Sequence, residues 1–113
     1  MTMTMQGYDM EAAVPFIAGA MRRSGIRGTQ EEIDAFVRRA VEADMRYMFA
    51  TGVLGEDGLM GEGEYDDDDA FEALLDELTA GETDDARIDH CAQMLDAYMA
   101  AQQDFMEENG LMA

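Results

Sequence analysis

The chain contains no lysine and no tryptophan, and among its 113 residues it has a single serine, histidine, cysteine and proline. These gaps exclude much chemistry. Without lysine there is no Schiff base and no Gly-Lys-Ser/Thr phosphate loop. A nucleophilic triad would have to be assembled from Ser24, His90 and Cys91. His90 and Cys91 are adjacent, and neighbours on a helix point about 100° apart. Cys91 therefore reads as a core thiol, and alone it can form neither an internal disulfide nor a cysteine zinc site. Helical metal pairs need a second ligand three or four residues away. Around His90 those positions hold Ala86, Arg87, Gln93 and Met94. No catalytic residue and no tightly held cofactor is expected, so the chain reads as a non-enzyme.

Long apolar runs are missing too. The longest candidate, Ala12 to Met21, is ten residues, contains Pro15 and is followed by Arg22-Arg23. A membrane helix needs roughly 20 apolar residues. No basic segment precedes this run, so it does not read as a secretory signal, and the cytoplasm is the expected compartment.

Positive charge is the scarcest property. Seven arginines face 26 acids, for a net charge of −19. The imbalance is segregated: residues 1–52 carry about −1, whereas residues 53–113 carry −18 and contain one base, Arg87. A field of that sign repels nucleic acids and anionic membranes and attracts basic proteins and cations. It also keeps a chain soluble, and acidity can be a solubility or high-salt adaptation without further meaning.

What remains is a chain rich in helix formers, with 48% hydrophobic residues to fill a core. One domain is expected, burying about 60–70% of its unfolded surface. Residues 1–8 show no period and read as a flexible N-terminus. Residues 9–113 read as a single helical domain with a Gly- and acid-rich loop at 52–66. The first helix spans about 10–23, with Asp9 as cap and Gly25 as stop. Pro15 conflicts with an early start, which predicts either a start near Ala12 or a kink. The second opens at the capping box Thr29-Gln30-Glu31-Glu32. It carries Ile33, Phe36, Val37, Ala40, Val41, Met45, Met48 and Phe49 at helical spacing and ends at Gly52. Asp34 to Arg38 and Glu42 to Arg46 are acid-then-base pairs four apart.

The third helix begins among Asp66 to Asp69, where the amide end favours negative charge. It buries Phe71, Leu74, Leu75 and Leu78. Thr83 is the expected cap of the fourth helix, whose stripe runs Ile88, Cys91, Ala92, Leu95, Tyr98, Met99, Gln102, Phe105, Met106 and ends at Gly110. The fold class is all-α: a small four-helix bundle of two helical hairpins, short-long-short-long, which a homodimer could complete across a twofold axis.

Asp44 projects only about 20° from Ile33 on a helical wheel, inside the apolar stripe, and Gln102 falls within the stripe of the fourth helix. A buried carboxylate must be hydrogen-bonded or paired, or it takes up a proton. Three readings follow for Asp44. The stripe drifts toward Met45, Met48 and Phe49 and leaves it at a rim. Alternatively it meets an arginine, Tyr98 or Gln102 and fixes helix register. The third reading is a carboxylate metal or catalytic site, against which the absence of paired Glu-x-x-His motifs counts.

Two surfaces are candidates for partners. In the loop, Glu62, Glu64, Asp66 and Asp67 offer oxygens suited to weak Ca²⁺ or Mg²⁺ binding. The order is not that of an EF-hand: with Asp57 first, Leu59 and Gly61 occupy oxygen positions. On the helices, Asp84, Asp85, Asp89 and Asp96, together with Met94 and Tyr47 at the edges of their stripes, form a candidate protein-binding face. The chain has twelve methionines, which adapt to varied partners or fill a core. The expected function is a small acidic interaction or regulatory protein whose partner is basic; in one version this chain mimics DNA and occupies a nucleic-acid-binding surface, using the series Asp84, Asp85, Asp89, Asp96 and Asp104. The alternative is a divalent-cation-binding protein using the acidic loop.

Overall fold

Four helices follow one another in the computed structural model, which describes residue 5, residues 7–59 and residues 61–111. They are α1 (Met10–Arg23), α2 (Gln30–Thr51), α3 (Asp67–Leu78) and α4 (Asp85–Glu108), with no strand among the described residues. Each packs against the next, and α4 closes the ring on α1. Helices α2 and α4 also touch across the diagonal, whereas α1 and α3 stand at opposite corners. The result is the all-α four-helix bundle that the hydrophobic periods require. No described helix is long and apolar enough to cross a membrane.

Every helix begins on a side-chain oxygen. Asp9 accepts from the Glu11 amide at 3.0 Å and Thr29 from Glu32 at 3.1 Å. Asp66 accepts from Asp68 and Asp69 at 3.0 and 3.2 Å, and Asp84 from Ala86 at 2.9 Å. Each such cap contributes roughly 1 kcal/mol by satisfying amides that lack intrahelical partners. The fourth helix departs from expectation: Asp84, not Thr83, is its cap. The Glu82 carboxylate accepts from the amides of both Thr83 and Asp84, at 3.1 and 3.3 Å, and so moves the start one residue on.

Helix α1 starts at Met10 despite Pro15. The proline removes the donor for the Glu11 carbonyl, but Glu11 and Pro15 are both exposed, so water can take that acceptor. Its far end is a Schellman turn, with Ile26 N donating to Met21 O at 3.2 Å and Gly25 N to Arg22 O at 3.1 Å.

Ile17, Met21, Ile33, Val37, Leu74 and Leu95 fill the core with 1% exposure or less. Burying each contributes about 1.5–3 kcal/mol. Met5 and Tyr8 join them at 4% and 7% exposure. These two residues of the segment expected to be flexible are therefore part of the core; residues 1–4 and 6 lie outside the described residues. Leu59 is the one large hydrophobic side chain left exposed among those described. Most of the apolar ridges find partners within one chain, but of the expected edge of α3 only Leu74 is fully buried, Phe71, Leu75 and Leu78 being half-buried.

The glycine-rich loop folds back on itself. Gly61 N donates to Val53 O and Gly55 N to Leu59 O at 2.8 Å each, and Gly63 N donates to Gly52 O at 2.9 Å. Gly52 ends α2 with φ 79°, a left-handed conformation that favours glycine. At Gly63 a β-carbon would lie 2.6 Å from Thr51 O and 2.7 Å from Gly52 C, so only glycine fits without displacing backbone. Val53 and Leu54 anchor the loop in the core, as the sequence suggested, while Leu59 does not; Met60 lies outside the described residues.

Candidate functional site

Asp44 is the only buried charged side chain among the described residues, at 2% exposure. Its neighbours on α2, among them Ala40, Val41, Ala43, Met45 and Met48, are buried as well, so the rim position is not adopted. Helix α4 presents Tyr98 and Gln102, one turn apart on a single face. Tyr98 donates its hydroxyl to Asp44 Oδ2 at 2.9 Å, and Gln102 Nε2 donates to the Tyr98 hydroxyl oxygen at 3.0 Å. Two further tyrosines arrive from outside the helices. Tyr65 donates to Asp44 Oδ1 at 2.8 Å, and Tyr8 donates to Gln102 Oε1 at 2.7 Å. The chain Tyr8–Gln102–Tyr98 therefore points every donor toward Asp44, and Tyr65 closes it from the other side. Among the described residues no buried side-chain nitrogen or oxygen lacks a partner.

Tyr8 and Tyr65 share a local logic. Each immediately precedes an aspartate cap, Asp9 or Asp66, which fixes where the helix starts, while tertiary contacts set the direction of the ring. Tyr8 is further held by its amide bonding to Met5 O at 3.1 Å and by edge-to-face packing on Phe105, with centroids 5.3 Å apart. Tyr65 packs edge-on against Tyr47 at 5.8 Å, and Tyr47 donates to Asp69 at 2.6 Å. All four tyrosines of the chain thus belong to one connected set of contacts that includes Asp44 and Asp69. Asp44 and Gln102 are legible in the helical stripes of the sequence, whereas Tyr8 and Tyr65 are not. The Tyr-Asp pair opening each hairpin marks where these rings stand in the chain but not which way they turn.

Burial pushes the Asp44 carboxyl above its ordinary value of 3.8; hydrogen bonds from Tyr65, Tyr98 and Gln102 oppose the shift, and the charge of Asp67 adds to it. No arginine or histidine makes an ion pair with Asp44 among the described residues. Burial also pushes the phenols of Tyr8, Tyr65 and Tyr98 well above 10.0, with the Asp44 charge adding to each. Tyr47 is raised to about 12, first by its bond to Asp69. Two charge-assisted phenol bonds are what an ionised carboxylate needs in an apolar setting. Burial likewise raises the Cys91 thiol, Arg39 opposing the shift, which makes it a poor nucleophile at neutral pH.

A cavity of about 70 Å³ adjoins this network, with Asp44, Gln102, Tyr65 and Asp67 among its lining and Met48, Val53 and Met99 as apolar wall. Beside it runs a wider groove of about 380 Å³ between α3 and α4. Asp67, Asp68 and Asp96 edge this groove, and Phe71, Met99 and Ala100 supply apolar surface.

The other candidate residues are dispersed. Asp84, Asp85, Asp89 and Asp96 are all exposed on α4, but only Asp96 lines the groove. Asp84 is occupied as a cap, and Asp89 accepts from Gln93 at 3.2 Å. Met94 does not belong to a partner surface: it is 6% exposed. Helix α4 is flanked by both α1 and α3, so its buried arc is wider than a single stripe. Tyr47 is half-buried and engaged with Asp69. Arg46 turns to Glu77 on α3 at 2.9 Å, not along its own helix to Glu42. Among the described residues no three His, Cys, Asp or Glu side chains converge as a metal site. Glu62, Glu64, Asp66 and Asp67 are therefore not drawn together, because Asp66 turns to its own helix amides while Asp67 lines the cavity.

Fold and site together define a small all-α bundle organised around a buried acid. No protein-family model, curated protein or solved structure matches the chain.

Proposed function

We propose that this is a non-catalytic binding protein whose partner is a basic protein segment with an apolar anchor, seated in the groove between α3 and α4. The observation that supports this most is the groove's composition: carboxylates of Asp67, Asp68 and Asp96 at its edge and Phe71 and Met99 within it. The −18 charge of residues 53–113 attracts such a segment from a distance, and the half-buried Phe71 and Met99 give it something to bury. Buried apolar contact supplies affinity, while exposed charges supply mostly association rate and selectivity.

The test is calorimetry with a synthetic Arg/Lys-rich amphipathic helix, at 50 mM and 500 mM salt, on the wild type and on Asp68→Asn/Asp96→Asn. Both carboxylates are exposed, so the double variant keeps its fold. Raising salt shortens the screening length toward about 4–5 Å. Binding should weaken at least tenfold with salt and several-fold in the variant at low salt. A complex indifferent to both changes refutes the proposal.

A further inference from the structure

Asp44 is a buried carboxylate in an apolar bundle, and among the described residues no basic side chain pairs with it. Arg46 is paired with Glu77, Arg39 donates to the Leu78 carbonyl, and Arg87 sits among Glu82 and Asp84. Asp44 accepts from two phenols and interacts with the Gln102 amide, which still leaves part of a carboxylate's roughly four acceptor positions open. The adjoining cavity has a second carboxyl group, Asp67, exposed where Asp44 is buried, so one acid faces it from the buried side and one from the exposed side.

The remaining wall decides which cation fits. Calcium and magnesium take six or more oxygens, whereas Met48, Val53, Met99 and Met106 present carbon and thioether surface. A ligand with a compact charged head and an apolar stem satisfies both halves of the lining. About 70 Å³ holds roughly four or five non-hydrogen atoms. That is the size of a short alkylamine, and of the part of a lysine side chain beyond its β-carbon.

The geometry points to a binding site for a primary alkylammonium group, its charge set against Asp44 and Asp67 and its methylenes against Met48, Val53 and Met99. The ammonium supplies the counter-charge that no described side chain provides, the chain having no lysine and its ion-paired arginines lying elsewhere. Its three donors match the free lone pairs of Asp44 and the Gln102 amide oxygen. The cavity shares Asp67, Met99 and Gln103 with the groove, but neither Asp68 nor Asp96 lines it, so the two readings are separable at those two carboxylates.

The experiment is calorimetry and thermal denaturation of the full chain with n-butylammonium chloride, and with n-butanol as the neutral probe of the same shape, at constant chloride and neutral pH. Saturable one-to-one binding of butylammonium is expected, at least tenfold tighter than butanol, with a rise in melting temperature of a few degrees at saturation. Asp44→Asn should abolish the preference for the cation. Should that variant not fold, Asp67→Asn, at an exposed position, should weaken butylammonium several-fold, and Met99→Phe should block both probes by filling the wall. Asp68→Asn/Asp96→Asn should bind butylammonium like the wild type, which separates this site from the groove. Nα-acetyl-lysine amide distinguishes the sources: binding as tight as butylammonium assigns the cavity to a partner's lysine, and weaker binding assigns it to a free amine. No saturable signal with butylammonium, equal affinity for butanol, or unchanged affinity in Asp67→Asn and Met99→Phe overturns the inference.

Discussion

Tyr98 and Asp44 lie 54 residues apart in the chain and 2.9 Å apart in the fold, joined where α4 meets α2 across the diagonal of the ring. That bond joins the two long helices of different hairpins. It is useful only in one register, because a shift of either helix by one residue rotates its partner about 100° away. The polar network therefore specifies how the hairpins dock, in addition to what apolar burial contributes.

Tyr98→Phe leaves the Asp44 Oδ2 acceptor and the Gln102 Nε2 donor without their present partner. Leaving a buried group unsatisfied costs about 1–3 kcal/mol. The variant should keep its helical circular dichroism but lose that much stability in urea titration. Tyr65→Phe should cost less, since Tyr65 is only half-buried and water can replace its hydroxyl. Equal stability of Tyr98→Phe and wild type would mean that the network carries no energetic weight.

The raised Asp44 carboxyl makes stability depend on pH in a defined direction. Between its ordinary value of 3.8 and its higher native value, the folded chain holds a proton that the unfolded chain has released. Stability from this group is full below 3.8 and is lost as pH rises through that window. Tyr8, Tyr65 and Tyr98, which surround the acid, stay protonated throughout it. Comparing wild type with Asp44→Asn isolates the group from the other carboxylates: the wild type should lose stability relative to the variant as pH increases from 4 to 7. An unchanging difference would show that Asp44 ionises as freely in the fold as in the open chain.

At the alkaline end the four tyrosines act together. Each phenol is raised, with Tyr47 at about 12 and the other three well above 10.0. Deprotonation is thus easier in the unfolded chain, so stability declines as pH climbs past 10.0. Absorbance at 295 nm should show little tyrosinate at pH 10.5 in native protein, but about three-quarters ionisation in denaturant. Ordinary titration without loss of helix would contradict the buried arrangement.

Gly63→Ala probes the loop. Its new methyl would meet backbone atoms of Thr51, Gly52 and Val53 at 2.6–2.8 Å, and backbone cannot yield as a flexible side chain can. The expected cost is about 1–3 kcal/mol. Faster amide exchange at Gly61 and Gly63 should accompany it, as both donate across the loop. Gly55 has no such backbone atom within 3 Å of its β-position, so Gly55→Ala should be milder.

Periodicity and capping chemistry were enough to read four helices and their ends from the chain alone. They failed at Thr83 and Asp84, because either side chain can cap and the choice lay with Glu82. Met94 was misplaced for a different reason. A wheel drawn for one helix assumes one buried stripe, whereas α4 is packed on two sides. Asp44 was legible as an anomaly within a stripe, but its partners were not. Tyr8 and Tyr65 lie outside any helical period, and nothing local says which way a ring before a cap will turn.

The sequence by itself determined the helices, their order, the unequal distribution of charge and the absence of lysine, since these follow from residue type and spacing over a few turns. Only the tertiary structure decided that three tyrosines and a glutamine meet around Asp44, and that a cavity opens beside it. Those groups are separated by up to 94 residues, and their convergence depends on how side chains from different helices fill the same space.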